Sequence, residues 1–286
     1  MDLTGRRLAF RAILDGDLCV HPGSVFDPIS ARIAEDLGFE VGMFAGSIAS
    51  ATVLAAPDYI VLTLTEFAQQ VHRICRAGTL PLLVDADHGY GNALNVKRTV
   101  EELETAGVAG LTIEDTWLPR AFGAGRQTLI SLDEGVGKIK SALAGRTDPD
   151  LVIAGRTSAF QISGPNEAIL RAQAYQQAGV DAVFFTGITT RDQLKSVSES
   201  ISIPIMLGTL SEELSDRKFL SSMGIRIALQ GHLPYMAGVQ AVYDTLKKLR
   251  AGQTPASLSA HKKYDRLMKD VTIEDSYDSW ISEFMK

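Results

Sequence analysis

Eight short, uninterrupted apolar runs recur along this 286-residue chain, and they limit its fold more than any other feature. They are Leu18-Cys19-Val20, Val41-Gly42-Met43-Phe44, Pro81-Leu82-Leu83-Val84, Ala109-Gly110-Leu111-Thr112-Ile113, Leu151-Val152-Ile153-Ala154, Ala182-Val183-Phe184-Phe185, Ile205-Met206-Leu207 and residues 225–229. Runs that do not alternate with polar residues predict strands covered on both faces, and therefore a parallel sheet. The segments between them read as helices. Asp27-Pro28 supplies an N-cap and a first-turn proline for a helix over 29–37. Thr63-Leu64-Thr65-Glu66 is a capping box that opens a helix to about residue 76, and Ser131-Leu132-Asp133-Glu134 is a second one, for a helix to about 143. Ala45-Gly46-Ser47 reads as a small-residue turn. Eight strand–helix units in about 250 residues predict a (β/α)8 TIM barrel, with a doubly wound open sheet as the rival. No break in composition marks a second domain. Residues 1–286 therefore read as one barrel domain, with extra C-terminal helices from about residue 251, past Ala251-Gly252-Gln253-Thr254-Pro255.

Composition narrows the classes of function. Hydrophobic residues make up 45% of the chain, enough for a large core. The formal net charge is -6 and no basic cluster occurs. That argues against nucleic acid as a partner, because binding it requires a concentrated Lys/Arg footprint, and against an anionic membrane surface. No apolar run approaches the roughly 20 residues of a membrane span. The opening Met1-Asp2-Leu3-Thr4-Gly5-Arg6-Arg7 leads into an amphipathic helix over 3–14 and lacks a signal-peptide pattern. Cys19 and Cys75 have neither metal-ligand spacing nor the look of a disulfide framework. A soluble cytoplasmic protein is expected.

The third apolar run ends in Asp85-Ala86-Asp87-His88-Gly89-Tyr90-Gly91-Asn92. In extended backbone, Asp85 and Asp87 project to the same side, and Gly89 and Gly91 permit a sharp turn before a helix that starts near Leu94. Two adjacent carboxylates repel each other unless a proton or cation lies between them. With oxygen donors and no cluster of His or Cys, the cation is Mg2+ or Mn2+. A pair of solvated loop acids is the plainer alternative. In a barrel the active site lies at the C-terminal strand ends. Those ends carry Ser47, Asp85, Asp87, Glu114, Arg156 and His232. Taken singly, Ser47 could be a cap, Glu114 an ion-pair partner and His232 a packed or capping histidine. An arginine beside a buried strand, by contrast, requires an anionic partner. Together the six residues suit a metal-chelated anionic substrate.

The acid-rich turn at 85–92 resembles the metal-site signature of the isocitrate lyase/phosphoenolpyruvate mutase superfamily. So do Ser24-Val25-Phe26-Asp27, Ile113-Glu114-Asp115 and Arg156-Thr157, in order, over about residues 11–243. The resemblance implies a (β/α)8 barrel that binds Mg2+ and 2-oxo acids or their enolates, with its last helices swapped between subunits of a homo-oligomer, a dimer of dimers. Lyases of the superfamily carry a Lys-Lys-Cys-Gly-His segment in the loop after strand four, and phosphonate mutases a Lys-Asn-Ser-type segment. Residues 117–130 of this chain contain no Cys, Lys or His. The similar branch that lacks the cysteine is the bacterial oxaloacetate decarboxylases, which carry Gly-His-x-x-Tyr after strand eight, as in Gly231-His232-Leu233-Pro234-Tyr235. Ser158 departs from the Asn or Asp often found after Arg-Thr.

The activity implied is Mg2+-dependent conversion of oxaloacetate to pyruvate and CO2. Asp85 would ligate the metal, and Asp87 and Glu114 would hold its waters. Arg156 would bind the C1 carboxylate, Ser47 would hold substrate oxygens, and His232 would act near C4. The alternatives are a lyase or hydrolase of a related diacid such as methylisocitrate, and a non-catalytic barrel that binds 2-oxo acids.

Overall fold

A computed structural model describes residues 3–258 and 261–286. Eight parallel strands follow one another around a single sheet in sequence order. They are β1 (Gly23–Ser24), β2 (Gly42–Phe44), β3 (Leu82–Asp85), β4 (Gly110–Glu114), β5 (Val152–Thr157), β6 (Ala182–Phe185), β7 (Ile205–Leu207) and β8 (Ile225–Ala228). The ring closes where Val20 accepts from the Ala228 N–H (3.0 Å) and donates to the Arg226 carbonyl (2.8 Å). This is the (β/α)8 barrel expected from the apolar runs.

Its helices are α1 (Leu3–Asp15), α2 (Pro28–Asp36), α3 (Gly46–Leu54), α4 (Leu64–Cys75), α5 (Ala93–Ala106), α6 (Leu132–Gly145), α7 (Ala159–Ile162), α8 (Pro165–Ala178), α9 (Arg191–Ser198) and α10 (Arg217–Ser222). Local chemistry sets several of their starts. Asp27, Thr63 and Asn92 each form a reciprocal capping box, at α2, α4 and α5. At α6 only half of the predicted box forms, Ser131 accepting from the Glu134 N–H at 3.2 Å.

α1 covers the N-terminal strand ends. Arg7 donates to the carbonyls of Val108 (3.1 Å) and Glu104 (2.7 Å), and Arg11 to those of Asp150 (3.0 Å) and Leu151 (3.2 Å). Phe10 is fully buried and packs where a side chain on Gly110 would lie. With that end sealed, the C-terminal ends remain as the working face.

Three expectations need correction. The first strand is not one run at 18–20. Val20 serves β8, and Gly23–Ser24 serves β2. Pro22, which has no N–H to give, stands between the two pairings. The Ala45-Gly46-Ser47 turn is the start of α3, with Ala45 as its cap residue. β5 runs on through Thr157, so Arg156 lies inside the strand.

The chain divides into two compact units, Met1–Gly231 and His232–Lys286. The second unit begins at His232. It holds α11 (Leu233–Arg250), α12 (Pro255–Leu258), α13 (His261–Thr272) and α14 (Glu274–Phe284). Among the described residues, no helix is long and apolar enough to cross a membrane.

Candidate active site

β3 ends in Asp85, and the turn beyond it is held by its own carboxylate. Asp85 Oδ1 accepts from the Asp87 N–H at 3.1 Å and from Thr112 Oγ1 at 3.2 Å. The backbone does not stay extended: Asp87 has φ +48° and Tyr90 φ +60°, both left-handed. Such conformations cost about 1–3 kcal/mol each in a non-glycine residue and persist only where surroundings enforce them. The enforcement is visible. The Asp87 carbonyl accepts from Glu114 N–H (2.8 Å), and Gly89 N–H closes the turn on the Ala86 carbonyl (2.9 Å). The alternation of an extended strand therefore does not govern how the two carboxylates project. That of Asp87 is turned onto Gly46 at the start of α3, where an added Cβ would stand 2.6 and 2.7 Å from its oxygens. A helix N-terminus is a favourable place for an anion.

Glu114, 5% exposed, closes β4. From β5, Arg156 is ion-paired through Nη1 with Asp85 Oδ2, and its Nε lies 3.1 Å from Glu114 Oε2. Register explains the meeting, since Glu114 is opposite Arg156 and Asp85 opposite Thr112 on neighbouring strands. One guanidinium is insufficient for the acids around it. Burial, then the charges of Asp85, Glu114 and Asp58, raise the Asp87 pKa well above the usual carboxylate range, against the opposing pull of Arg156. Burial likewise pushes Glu114 up to about 7, with Arg156 pulling down and Asp85, Asp115 and Asp58 pushing up. Carboxylates held this way gain from any added positive charge.

The donor set fits a hard divalent cation. Every acid at the site offers oxygen, and Mg2+ is commonly held through one or two carboxylates with waters filling the other positions. Among the described residues no three His, Cys, Asp or Glu side chains come together as a ready-made ligand cluster.

Asp87 and Glu114 open into a cavity of about 1060 Å3. Its wall includes Asp58, Asp87, Glu114, Arg156, Ser158 and Thr186, together with much of the 117–128 loop. That loop leaves β4 as a narrow hairpin, Trp117 N–H to Thr128 carbonyl at 2.8 Å and Ile130 N–H to Asp115 carbonyl at 3.0 Å. A buried group anchors its base: Asp115 is ion-paired with Arg171 (3.1 Å) and accepts from the Tyr175 hydroxyl (2.7 Å), while Arg171 Nη2 donates to the Ile130 carbonyl (2.8 Å).

The structure thus gathers four of the residues expected from sequence, Asp85, Asp87, Glu114 and Arg156. Ser47 lies in the first turn of α3, beside the glycine that contacts Asp87. His232 is the cap residue of α11, in the second unit. Sequence reasoning missed Asp58, whose pKa is raised by burial and by Asp85. It follows a helix rather than a strand, and its one signal is the adjacent Pro57 that stops α3 from continuing. It also missed Lys138, a buried lysine on α6 that donates to the His88 carbonyl (3.0 Å) and so supports the acid-rich turn from behind.

Comparison with known proteins gives a consistent picture. The family model for phosphoenolpyruvate phosphomutase matches residues 10–250. An oxaloacetate decarboxylase of Bradyrhizobium sp. (strain BTAi1 / ATCC BAA-1182) is 59% identical over 258 residues, 90% of each chain. Among solved structures, phosphoenolpyruvate phosphomutase from Streptomyces platensis subsp. rosaceus superimposes with a TM-score of 0.86 at 28% identity, over 98% of this chain and 99% of that one. A phosphonopyruvate hydrolase in complex with oxalate and Mg2+ gives 0.84 at 27% identity, over 98% and 99%.

Proposed function

This chain belongs to the phosphoenolpyruvate phosphomutase family, and from that premise we propose that it is a cytoplasmic carboxy-lyase, an Mg2+-dependent oxaloacetate decarboxylase releasing pyruvate and CO2. The observation that carries the reading is the acid cluster at the ends of β3 and β4. It faces a cavity whose covering loop, residues 117–130, offers no Cys, Lys or His to donate or accept a proton. Decarboxylation needs no protein nucleophile; it needs stabilisation of the enolate left behind. The name and 59% identity of the Bradyrhizobium relative support the substrate, and the Mg2+ in the phosphonopyruvate hydrolase complex supports the metal.

Asp85 is assigned as the direct metal ligand, with Asp87 and Glu114 holding the ion's waters; Mn2+ can substitute. A cation bound there supplies Lewis-acid stabilisation of the charge that develops on the C2 oxygen. Arg156 commits Nη1 to Asp85, while its Nε lies near Glu114 without hydrogen-bonding it. Its Nη2 donors are left for the C1 carboxylate, with the strength of a charge-assisted pair. Ser47 and the N–H groups at the start of α3 hold substrate oxygens, as helix N-termini do for anions. His232 is assigned, on the resemblance alone, to a place near C4 where it guides protonation of the enolate. The C-terminal helices are assigned to exchange between subunits, giving a dimer of helix-swapped dimers.

The test is a panel of 2-oxo acids and diacids with Mg2+, followed by pyruvate and CO2 release, on the wild type and on Asp85→Ala. Oxaloacetate turnover that chelator and Asp85→Ala each abolish is the expected result. Turnover of methylisocitrate instead would reassign the protein to cleavage of a related diacid. Tight binding of oxalate with no turnover of any substrate would make it a non-catalytic 2-oxo acid-binding barrel. Activity surviving in chelator would remove the metal from the mechanism.

A further inference from the structure

The cavity has a second polar wall, on the β5–β6 side, and it is built without charge. Ser158, 7% exposed, follows the end of β5, and Thr186 follows the end of β6. Thr157 and Phe185 are the last paired residues of those strands, so Ser158 and Thr186 occupy the next rung. There Thr186 Oγ1 donates to Ser158 Oγ at 2.9 Å. Gln161 of α7 lines the same cavity. Its side chain lies flat across Gly187, where an added Cβ would overlap it, with Cδ at 2.9 Å. Gly187 also has φ +85°, so this close approach depends on glycine twice over. A seryl hydroxyl, a threonyl hydroxyl and a carboxamide thus share one wall of the site.

Position gives this wall a meaning. Ser158 is two residues beyond Arg156, and both line the one cavity. If Arg156 takes the C1 end of the substrate, the other end comes to the hydroxyl wall. Chemistry makes the lack of charge useful there. When the C3–C4 bond breaks, its electron pair becomes the C2–C3 double bond, the carbonyl pair moves onto the C2 oxygen, and C4 leaves as neutral CO2. C3 later takes a proton from solvent. A lysine or arginine on the C4 carboxylate would stabilise the anion that must disappear, favouring the ground state over the transition state. Neutral hydrogen bonds orient the same group and lose little as its charge drains away.

We propose that Ser158 and Thr186, with Gln161, form the subsite for the carboxylate that departs as CO2, and so determine specificity for a diacid; this rests on the oxaloacetate reading above. The experiment is steady-state kinetics with oxaloacetate and Mg2+ on Ser158→Ala, Thr186→Val and Gln161→Leu. Inhibition by oxalate, which presents only the C1–C2 end, is measured in parallel. Each variant is expected to raise KM for oxaloacetate about tenfold, as loss of a hydrogen bond to a charged group does, while the oxalate inhibition constant stays within about twofold. Thr186→Lys should lower KM and kcat together, the signature of ground-state stabilisation. Oxalate and oxaloacetate weakening in parallel, or no change in KM, would overturn the subsite. Absence of oxaloacetate turnover in the wild type would instead overturn the functional reading and the subsite with it, so the two failures are told apart. Retained oxalate inhibition also shows that a variant has folded with its site intact.

Discussion

Asp87 shows what one residue contributes and what the sequence conceals about it. Strand periodicity located both acids of the Asp85-Ala86-Asp87 turn, and it located Glu114 and Arg156, because each ends or closes an apolar run. It could not give the left-handed conformation of Asp87, φ +48°, which depends on the Glu114 N–H holding its carbonyl. Nor could it give the contact with Gly46, which lies 41 positions earlier in the sequence on a helix that reads as a turn. That contact leads to a prediction. In Gly46→Ala the new methyl would stand 2.6 Å from Asp87 Oδ1, closer than carbon and oxygen tolerate, and the carboxylate must move. Gly46 is helical, so alanine suits its backbone, and global stability should change by less than about 1 kcal/mol. Activity should fall by about two orders of magnitude, as it does when a positioned group shifts by an ångström. The apparent affinity for Mg2+, measured by titration of activity, should weaken with it. Wild-type activity in Gly46→Ala would show that the placement of Asp87 is irrelevant.

At the scale of elements, the barrel was legible because buried parallel strands write themselves as apolar runs, and six of the eight fall where the runs do, to within two residues. The exceptions have local causes, Pro22 dividing the first strand and Arg156-Thr157 extending β5 on polar residues. The 117–130 loop was legible only as a loop. Its anchoring by Asp115, Arg171 and Tyr175 joins the end of β4 to α8 and leaves no short-range pattern. All three side chains are buried, Tyr175 at 1% exposure, and Asp115 Oδ1 is already without a hydrogen-bond partner. Tyr175→Phe removes one of the bonds to Asp115 and should cost about 1–3 kcal/mol in chemical denaturation. Arg171→Met leaves Asp115 as an uncompensated buried charge and should cost about 3–5 kcal/mol. It also frees the Ile130 carbonyl at the loop's exit, so protease cleavage within 117–130 should accelerate in Arg171→Met more than in Tyr175→Phe. Equal losses in the two variants would mean that the hydroxyl, not the ion pair, secures the loop.

The molecule as a whole poses a question that its barrel does not answer. The second unit carries α11, an 18-residue helix without a buried residue. Leu233, Met236, Val239, Val242, Tyr243 and Leu246 are each more than half exposed, Leu233 at 74%. Their spacing of three and four places them along one stripe, and in α14 Tyr277, Trp280, Ile281 and Phe284 are exposed as well. Each such side chain gains about 1.5–3 kcal/mol when fully buried, so stripes of this size in water favour association. Exchange of these helices between subunits, proposed above, would bury them. The expected mass by light scattering is four times the 30.9 kDa protomer, stable on dilution to the low micromolar range. Val239→Asp/Val242→Asp places two charges in the stripe. It should reduce the mass to that of smaller species and lower the melting temperature, in a manner that depends on protein concentration, as association-coupled stability requires. A wild-type protein that scatters as a monomer at every concentration would refute helix exchange and leave the stripe to some other partner. A tetramer that survives both substitutions would move the interface elsewhere on the chain.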